Sequence, residues 1–489
     1  MKQVIAIDLG ASNGCLMLVK LEDDHITQEE IHRFPNEIVE KDGHLYWNLQ
    51  MIFDEIQKGL KKAKGKIESI GVDTWGVDFG IIGKDDLLLD RPFSYRDTHT
   101  VPVMEAVHQN IGSQFIFETT GVESAAINTL YQLKAIYGKH SDWHEKTDTI
   151  LTFPSLLNYL LSGKKRNEFT HASTTQMLHS ETKDWDTTLL KKVFGYIPKM
   201  APLHETNTLL GETKESINES IGKETMKVIQ VPGHDTACAL AAIPRINRGS
   251  AFMSCGTWVL VGVEVDNTVV TKEAFEWGFT NEGTAEGKYR LQKNNMGLWL
   301  LQQSKREWRE NGEEITYEQE AQLVQESEPF RSFIDPDDQL FFNPRSMVEA
   351  IQQFCRETNQ AIPTTKGQIL RCILESLAMK YRWVLNRIEF VTDTIIPDIH
   401  MVGGGIQNKF LCQFTANATQ KHVQAGPIEA SSLGNALSQF IALGHIKNWK
   451  EAKQLVEDSF GVKEYYTEEK EKWESAYEQF KNILQRKDF

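Results

Sequence analysis

The sequence predicts an α/β protein of two duplicated domains with a cleft between them. Three observations carry that expectation. The chain is 489 residues long, beyond the size at which one core usually stops growing. It opens on VIAIDLGASNG (4–14), an apolar strand that runs into Asp8 and then into a bare turn, before CLMLVKL (15–21) carries the chain back. The same logic recurs at GSAFMSCGTWVLVGVEV (249–265): an apolar strand, a small-residue tip at Ser254–Cys255–Gly256–Thr257, and an apolar return. Two such hairpins, one opening each half, divide the chain into 1–244 and 245–489.

The first hairpin has a chemistry as well as a shape. Backbone N–H groups unshielded by side chains approach an anion closely. A carboxylate at the strand end suits hydrated Mg²⁺, which prefers oxygen ligands and keeps much of its water. Alone, the stretch is more readily an ordinary tight hairpin, since glycine-rich turns are common. ITQEEIHRF (26–34) supplies a third strand, and Asn48 starts a helix with Ile52, Phe53, Ile56 and Leu60 on one face.

IESIGVDTWGVDFGIIG (67–83) reads as a strand broken by Asp73, Trp75, Gly76 and Asp78. Polar and aromatic residues at a strand end are where α/β folds meet ligands; a bulge with a packed Trp fits as well. YRDTHT (95–100) begins a loop, and helices are expected over 128–138 and 153–163. The hydroxyl-rich THASTTQML (170–178) suits a polyol or a helix cap and turn. VIQVPGHDTACALAAIP (228–244) is a strand, a turn and an alanine-rich helix whose N-terminus carries Asp235, a position that also favours Asp as a cap.

In the second half, NNMGLWLLQQSKREW (294–308) is expected to open a helix with polar residues, and 367–388 is the longest helical pattern. IHMVGGGIQNKFLCQFTANAT (399–419) reads as strand, glycines and helix, with Asn408 in the first turn. Such a glycine run lets an anionic group sit against backbone at a helix N-terminus. EASSLGNALSQFIALG (429–444) is a helix with a central glycine, a sign of close packing. From Thr467 an amphipathic helix presents Trp473, Tyr477, Phe480 and Leu484.

Composition narrows the function classes. A net charge of −15 argues against bulk nucleic-acid or anionic-membrane binding, which needs a basic surface, and leaves room for a local ATP site. No apolar stretch approaches the length of a membrane span, and the N-terminal run is too short for a signal peptide. The cysteines at 15, 238, 255, 355, 372 and 412 lack CxxC spacing, as expected of a reduced cytoplasmic protein. Cys355 and Cys372 are read as two free thiols, with a redox-sensitive pair as the alternative.

Taken in order, DLGASNG (8–14), EIHRF (30–34), GVDTWGVDF (71–79), YRD (95–97), NTLYQL (128–133), GHDTA (233–237), CGTW (255–258), NEGTAEG (281–287), MGLWLLQ (296–302), VGGGIQN (402–408) and EASSLGN (429–435) resemble the FGGY carbohydrate kinases. The resemblance spans nearly the whole chain and implies two actin-like (ribonuclease H-like) domains. It implies ATP-dependent phosphorylation of the 1-hydroxyl of L-rhamnulose in L-rhamnose degradation, with L-fuculose, L-xylulose or a sugar-sensing role as alternatives. By the same resemblance Asp235 is the catalytic base. Gly76, His234, Asp235, Thr236 and Asn294 bind sugar. Ala11, Ser12, Asn13, Gly14, Cys15, Thr257, Gln302 and Gly404 bind nucleotide, and Asp8 holds Mg²⁺ through water. A ketose and ATP are then the partners of a monomer or homodimer. One departure stands out: Cys15 occupies a position where related kinases commonly carry Arg or Lys.

Overall fold

A computed structural model describes residues 1–244 and 246–485. The chain divides into two compact units, and neither is an uninterrupted half. One comprises Met1–Arg245, Glu264–Leu291 and Glu429–Phe460; the other comprises Ile246–Val263, Gln292–Ile428 and Gly461–Phe489.

The first unit is built on a six-stranded sheet in the spatial order Thr208–Glu212, Lys227–Gln230, Ser69–Thr74, Lys2–Leu9, Asn13–Glu22, His25–Pro35. Lys2–Leu9 pairs antiparallel with Asn13–Glu22 and parallel with Ser69–Thr74. Its apolar run is continuous, not alternating, because both faces are covered. The helix Leu49–Lys62, capped by Asn48, buries Ile52, Ile56 and Leu60 beneath the hairpin strands. Ala430–Ala442 lies against the first strand with polar residues turned inward: Gln439 Nε2 donates to the Ile5 carbonyl (2.9 Å) and Asn435 Nδ2 to that of Gly71 (3.1 Å). The central glycine of this helix is where it meets Asp235–Ala241; a Cβ on Gly434 would collide with the Cys238 carbonyl. The close packing expected of Gly434 is therefore present.

The single strand expected over 67–83 is two strands, Ser69–Thr74 and Phe79–Gly83, belonging to different sheets. The second pairs with Thr147–Thr152 and forms a separate core with Leu130, Tyr131, Leu189 and neighbouring residues. The break at Trp75–Asp78 is therefore larger than a bulge.

The second unit repeats the plan. Strands with residues in it run in the order Tyr289–Met296, Trp258–Val265, Ala251–Cys255, Asp398–Val402, His422–Ala425, Lys463–Tyr465. Ala251–Cys255 pairs antiparallel with the return strand of its hairpin and parallel with Asp398–Val402, as Lys2–Leu9 does with its own neighbours. The long helix Lys366–Thr392, opened by a capping box of Thr365 and Gln368, packs on the helices Lys409–Thr419 and Tyr317–Glu326. The terminal helix Lys470–Gln485 seats Trp473 between Phe330 and Phe414, and buries Ile483 where Leu484 was expected.

Two local expectations need correction. Asn294 lies on a strand: KNNM continues Tyr289–Met296, Asn294 is exposed beside the fully buried Asn295, and the helix starts only at Trp299. Asn408 is the cap of Lys409–Thr419, because a 3₁₀ turn over Gly404–Gln407 intervenes between strand and helix. All six cysteines are free and buried. Among the described residues no helix is long and apolar enough to cross a membrane.

Candidate active site

In the first unit, Asp8 is next to last in its strand, opposite Cys15 on one side and Asp73 on the other. Ser432 Oγ donates to Asp8 Oδ2 (3.0 Å), and Asn435 Nδ2 donates to Asp73 Oδ1 (2.6 Å). Burial, then repulsion from Asp235, pushes the Asp8 carboxyl from its ordinary 3.8 to about 7. Burial and Asp8 push Asp73 upward as well. Asp73 Oδ2 is buried without a hydrogen-bond partner. Three mutually repelling carboxylates with an orphaned oxygen form the donor set that suits a hydrated divalent cation.

The sign of the resulting pH dependence follows from linkage. A carboxyl raised in the folded state favours folding while protonated, and that contribution is lost as pH rises from about 4 to about 7. Asp8→Asn is therefore expected to melt higher than the parent in ligand-free form. The gap should be wider near pH 8 than near pH 5; equal gaps in thermal unfolding would remove the electrostatic explanation.

The hairpin tip is held by its own backbone and by Asn36. The Gly10 and Ser12 carbonyls accept from the side chain and backbone N–H of Asn36, and Asn13 O accepts from Gly10 N–H (2.9 Å). Three carbonyls are thus turned inward at the tip, where Ser12 and Asn13 are exposed. Cys15 is not at the tip: it is 4% exposed, and burial pushes its thiol to about 12. A cation stands across the sheet from Cys15. Arg33, the cross-strand partner of Cys15, donates from Nη1 to Asn13 Oδ1 (3.0 Å) and is partly exposed beside Glu30 and Glu429. Only the pairing of the second and third strands reveals Arg33, and sequence reading passed over it.

Around Asp235 the geometry is more specific than a helix cap. The cap is His234, whose Nδ1 lies 3.0 Å from Thr236 N and 2.8 Å from Asp235 Oδ1. Asp235 is the first helical residue, and its side chain remains 29% exposed. Burial works against its charge, but attraction to His234 and hydrogen bonds from His234 and Thr236 outweigh it, holding the carboxyl below its ordinary range. It is ionised at neutral pH.

His234 and Asp235 are positioned from behind. Glu168, fully buried, accepts from Gly233 N–H (2.7 Å), Thr170 and His171. His171 Nε2 donates to the Trp75 carbonyl (2.9 Å), and burial pushes its pKa down to about 3, so it stays neutral. On the other side, fully buried Arg290 reaches Glu282 Oε2 (2.5 Å), which is 3.7 Å from His234 Nε2. Neither Glu282 nor Arg290 was assigned a role from the sequence, although Glu282 lies within NEGTAEG.

Gly76 faces the same region: a Cβ there would sit 3.2 Å from His234 Nε2 and 3.3 Å from Thr174. The next residue, Val77, has φ +67, rare for a β-branched side chain. It is clamped by Thr174 Oγ1, which accepts from its N–H (3.0 Å), and by Thr129 Oγ1, which donates to its carbonyl. Asp78 Oδ2 accepts from the indoles of Trp47 (2.6 Å) and Trp75 (2.9 Å), and Oδ1 from Gln132 (3.0 Å). Asp78 thus organises the break that presents Gly76.

In the second unit, the tip at Gly256–Thr257 is tied to the following helix. Gly256 O accepts from Leu298 N–H (3.1 Å), and Thr257 O accepts from Gly297 and Trp299. Thr257 Oγ1 and Gln302 Oε1 meet at 3.3 Å. Gly403 (φ +87) and Gly405 press on Cys255, so closely that a Cβ on either would lie 2.8 Å from it, while a Cβ on Gly404 would meet open space. Thr257, Gln302 and Gly404 are therefore brought to one end of this sheet, each exposed.

Comparison with known proteins gives the family and the fold. Residues 3–242 match the N-terminal domain, and 251–443 the C-terminal domain, of the FGGY family of carbohydrate kinases. A rhamnulokinase of Bacteroides thetaiotaomicron is 39% identical over 488 residues, covering 99% of this chain and 100% of its own. That of Bacillus subtilis is 37% identical, covering 94% of both. Among solved structures, ligand-bound xylulose kinase from Lactobacillus acidophilus superposes with a TM-score of 0.82 at 16% identity, covering 99% of this chain and 98% of its own. Plasmodium falciparum glycerol kinase with ADP gives 0.81 at 14%, with the same coverage. This chain belongs to the FGGY family of carbohydrate kinases.

Proposed function

We propose that this protein is a rhamnulokinase: it transfers the γ-phosphoryl group of ATP to the 1-hydroxyl of L-rhamnulose, giving L-rhamnulose 1-phosphate and ADP. The observation that carries the reading is Asp235, ionised and held by His234 and Thr236, with Gly76 facing the His234 ring at close range. Asp235 accepts a hydrogen bond from the attacking hydroxyl, orients it and takes its proton late, since a carboxylate of low pKa is a weak base. Gly76, His234, Thr236 and Asn294 contact the sugar. Ala11, Ser12, Asn13, Gly14 and Cys15 line the first phosphate hairpin by backbone. Thr257, Gln302 and Gly404 contact the nucleotide, so residues 1–244 supply sugar and phosphate contacts and 245–489 the rest of the ATP site.

Asp8, with Asp73 beside it, would hold Mg²⁺ through water. The metal would supply positive charge to the β- and γ-phosphate oxygens as the transferred group separates. In this reading the enzyme is cytoplasmic and works as a monomer or homodimer.

The test is release of ADP with L-rhamnulose, with L-fuculose, with L-xylulose and with no sugar, ranked by kcat/KM. Highest efficiency with L-rhamnulose supports the assignment. Sugar-independent ADP, or sugar binding without turnover, refutes it. Arg33→Ala is expected to raise the KM for ATP about tenfold, ~1.4 kcal/mol, as loss of one charge-assisted bond would. An unchanged KM for ATP would place Arg33 outside the phosphate contacts.

A further inference from the structure

We propose that His44, Asp97 and His99 bind a divalent d-block cation of the zinc class, at a site separate from the residues assigned to sugar and nucleotide. His44 opens the short strand His44–Trp47, while Asp97 and His99 stand in the loop after Tyr95. One ligand atom from each lies within 4.8 Å of the other two. His44 Nδ1 is 3.4 Å from Asp97 Oδ1, and His99 Nδ1 is 2.5 Å from the same oxygen. Zinc holds imidazole nitrogen and carboxylate oxygen at about 2.0–2.1 Å, which spaces tetrahedral ligands roughly 3.3 Å apart. The His44–Asp97 pair already has that spacing, and His99 must withdraw from Asp97 by less than about 1 Å.

The carboxylate is fixed from outside. Leu45 N–H donates to Asp97 Oδ2 (2.6 Å) and His99 N–H to Oδ1 (2.8 Å), the kind of support that orients metal ligands. The Asp97 and His99 side chains are 5% and 14% exposed, and that of His44 is 23% exposed. The cluster is therefore closed at its base and open at His44, where water would complete the coordination. Two nitrogens and one oxygen favour zinc over Mg²⁺, which takes oxygen ligands in octahedral geometry.

One neighbour opposes the cation. Lys139 Nζ lies 3.3 Å from His44 Nε2. A neutral imidazole bound through Nδ1 carries its proton on Nε2, so this exposed ammonium must swing away. The cation would join two segments that meet at one buried acid, because Trp47 Nε1 and Tyr95 N–H both donate to Asp78.

The experiment titrates full-length protein with Zn²⁺ alone by calorimetry, follows its melting temperature, and repeats the titration with Co²⁺ in the visible region. One equivalent of Zn²⁺ should bind and raise the melting temperature, and Co²⁺ should give the strong absorption of a tetrahedral site. His44→Gln, at the exposed corner, should fold normally and bind at least about tenfold more weakly. Lys139→Met should bind more tightly than the parent. Failure of the parent to take up one saturable equivalent overturns the proposal. So does undiminished affinity in His44→Gln, or no gain in Lys139→Met.

Discussion

Asp235→Asn should lower kcat by about 10²–10⁴-fold, the range set by loss of a positioned general base, while the dissociation constant for L-rhamnulose changes little. The asymmetry follows from the surroundings. Asparagine keeps the shape and can still accept from Thr236, so the sugar pocket and the helix start survive. What is lost is the ionised oxygen that His234 and Thr236 hold below its ordinary pKa. Single-turnover phosphoryl transfer together with equilibrium sugar binding separates the two effects. Near-normal turnover in the variant would reduce Asp235 to a hydrogen-bonding residue at a helix start.

The second large effect is expected at a residue that touches neither substrate. Gly434→Ala should destabilise the protein by about 1–3 kcal/mol, the usual cost of overpacking, and should lower kcat more than it raises either KM. A methyl group at Gly434 collides with the Cys238 carbonyl, which is backbone, so the helix Asp235–Ala241 must shift as a body. Asp235 sits at the start of that helix, and displacement of a reacting group by about 1 Å can cost 10²-fold in rate. Thermal melting with steady-state kinetics checks both parts. Reduced stability with unchanged kcat would show that the helix absorbs the strain away from its N-terminus.

Much of this molecule could be read from its residues, for identifiable reasons. The two hairpins were legible because strand, bare tip and strand are contiguous. Asp235 was legible as a carboxylate at a helix N-terminus, and Thr257, Gln302 and Gly404 came from motif resemblance; the structure brings these three together. What escaped depends on pairings between distant segments. Arg33 gains its place only through register with Cys15. Glu282 approaches His234 from 48 residues downstream, and Arg290 pairs with Glu282 from the next strand. Asn294 was placed in a helix because NNM precedes an amphipathic run, and nothing local says that the strand before it continues. Trp75 and Asp78 were read as two alternatives, ligand site or packed bulge. The structure makes them a buried hydrogen-bonded pair at a strand break that presents Gly76.

The helix Ala430–Ala442 carries a consequence for how the protein is made. It supplies Ser432, Asn435 and Gln439 to the first sheet, yet it leaves the ribosome hundreds of residues after that sheet. During synthesis the early strands wait with one polar-lined face uncovered and with Asp73 lacking its amide donor. A chain ending before Glu429 would therefore release an incomplete first unit along with a truncated second one, and dividing the gene between the halves would strand this helix on the wrong fragment.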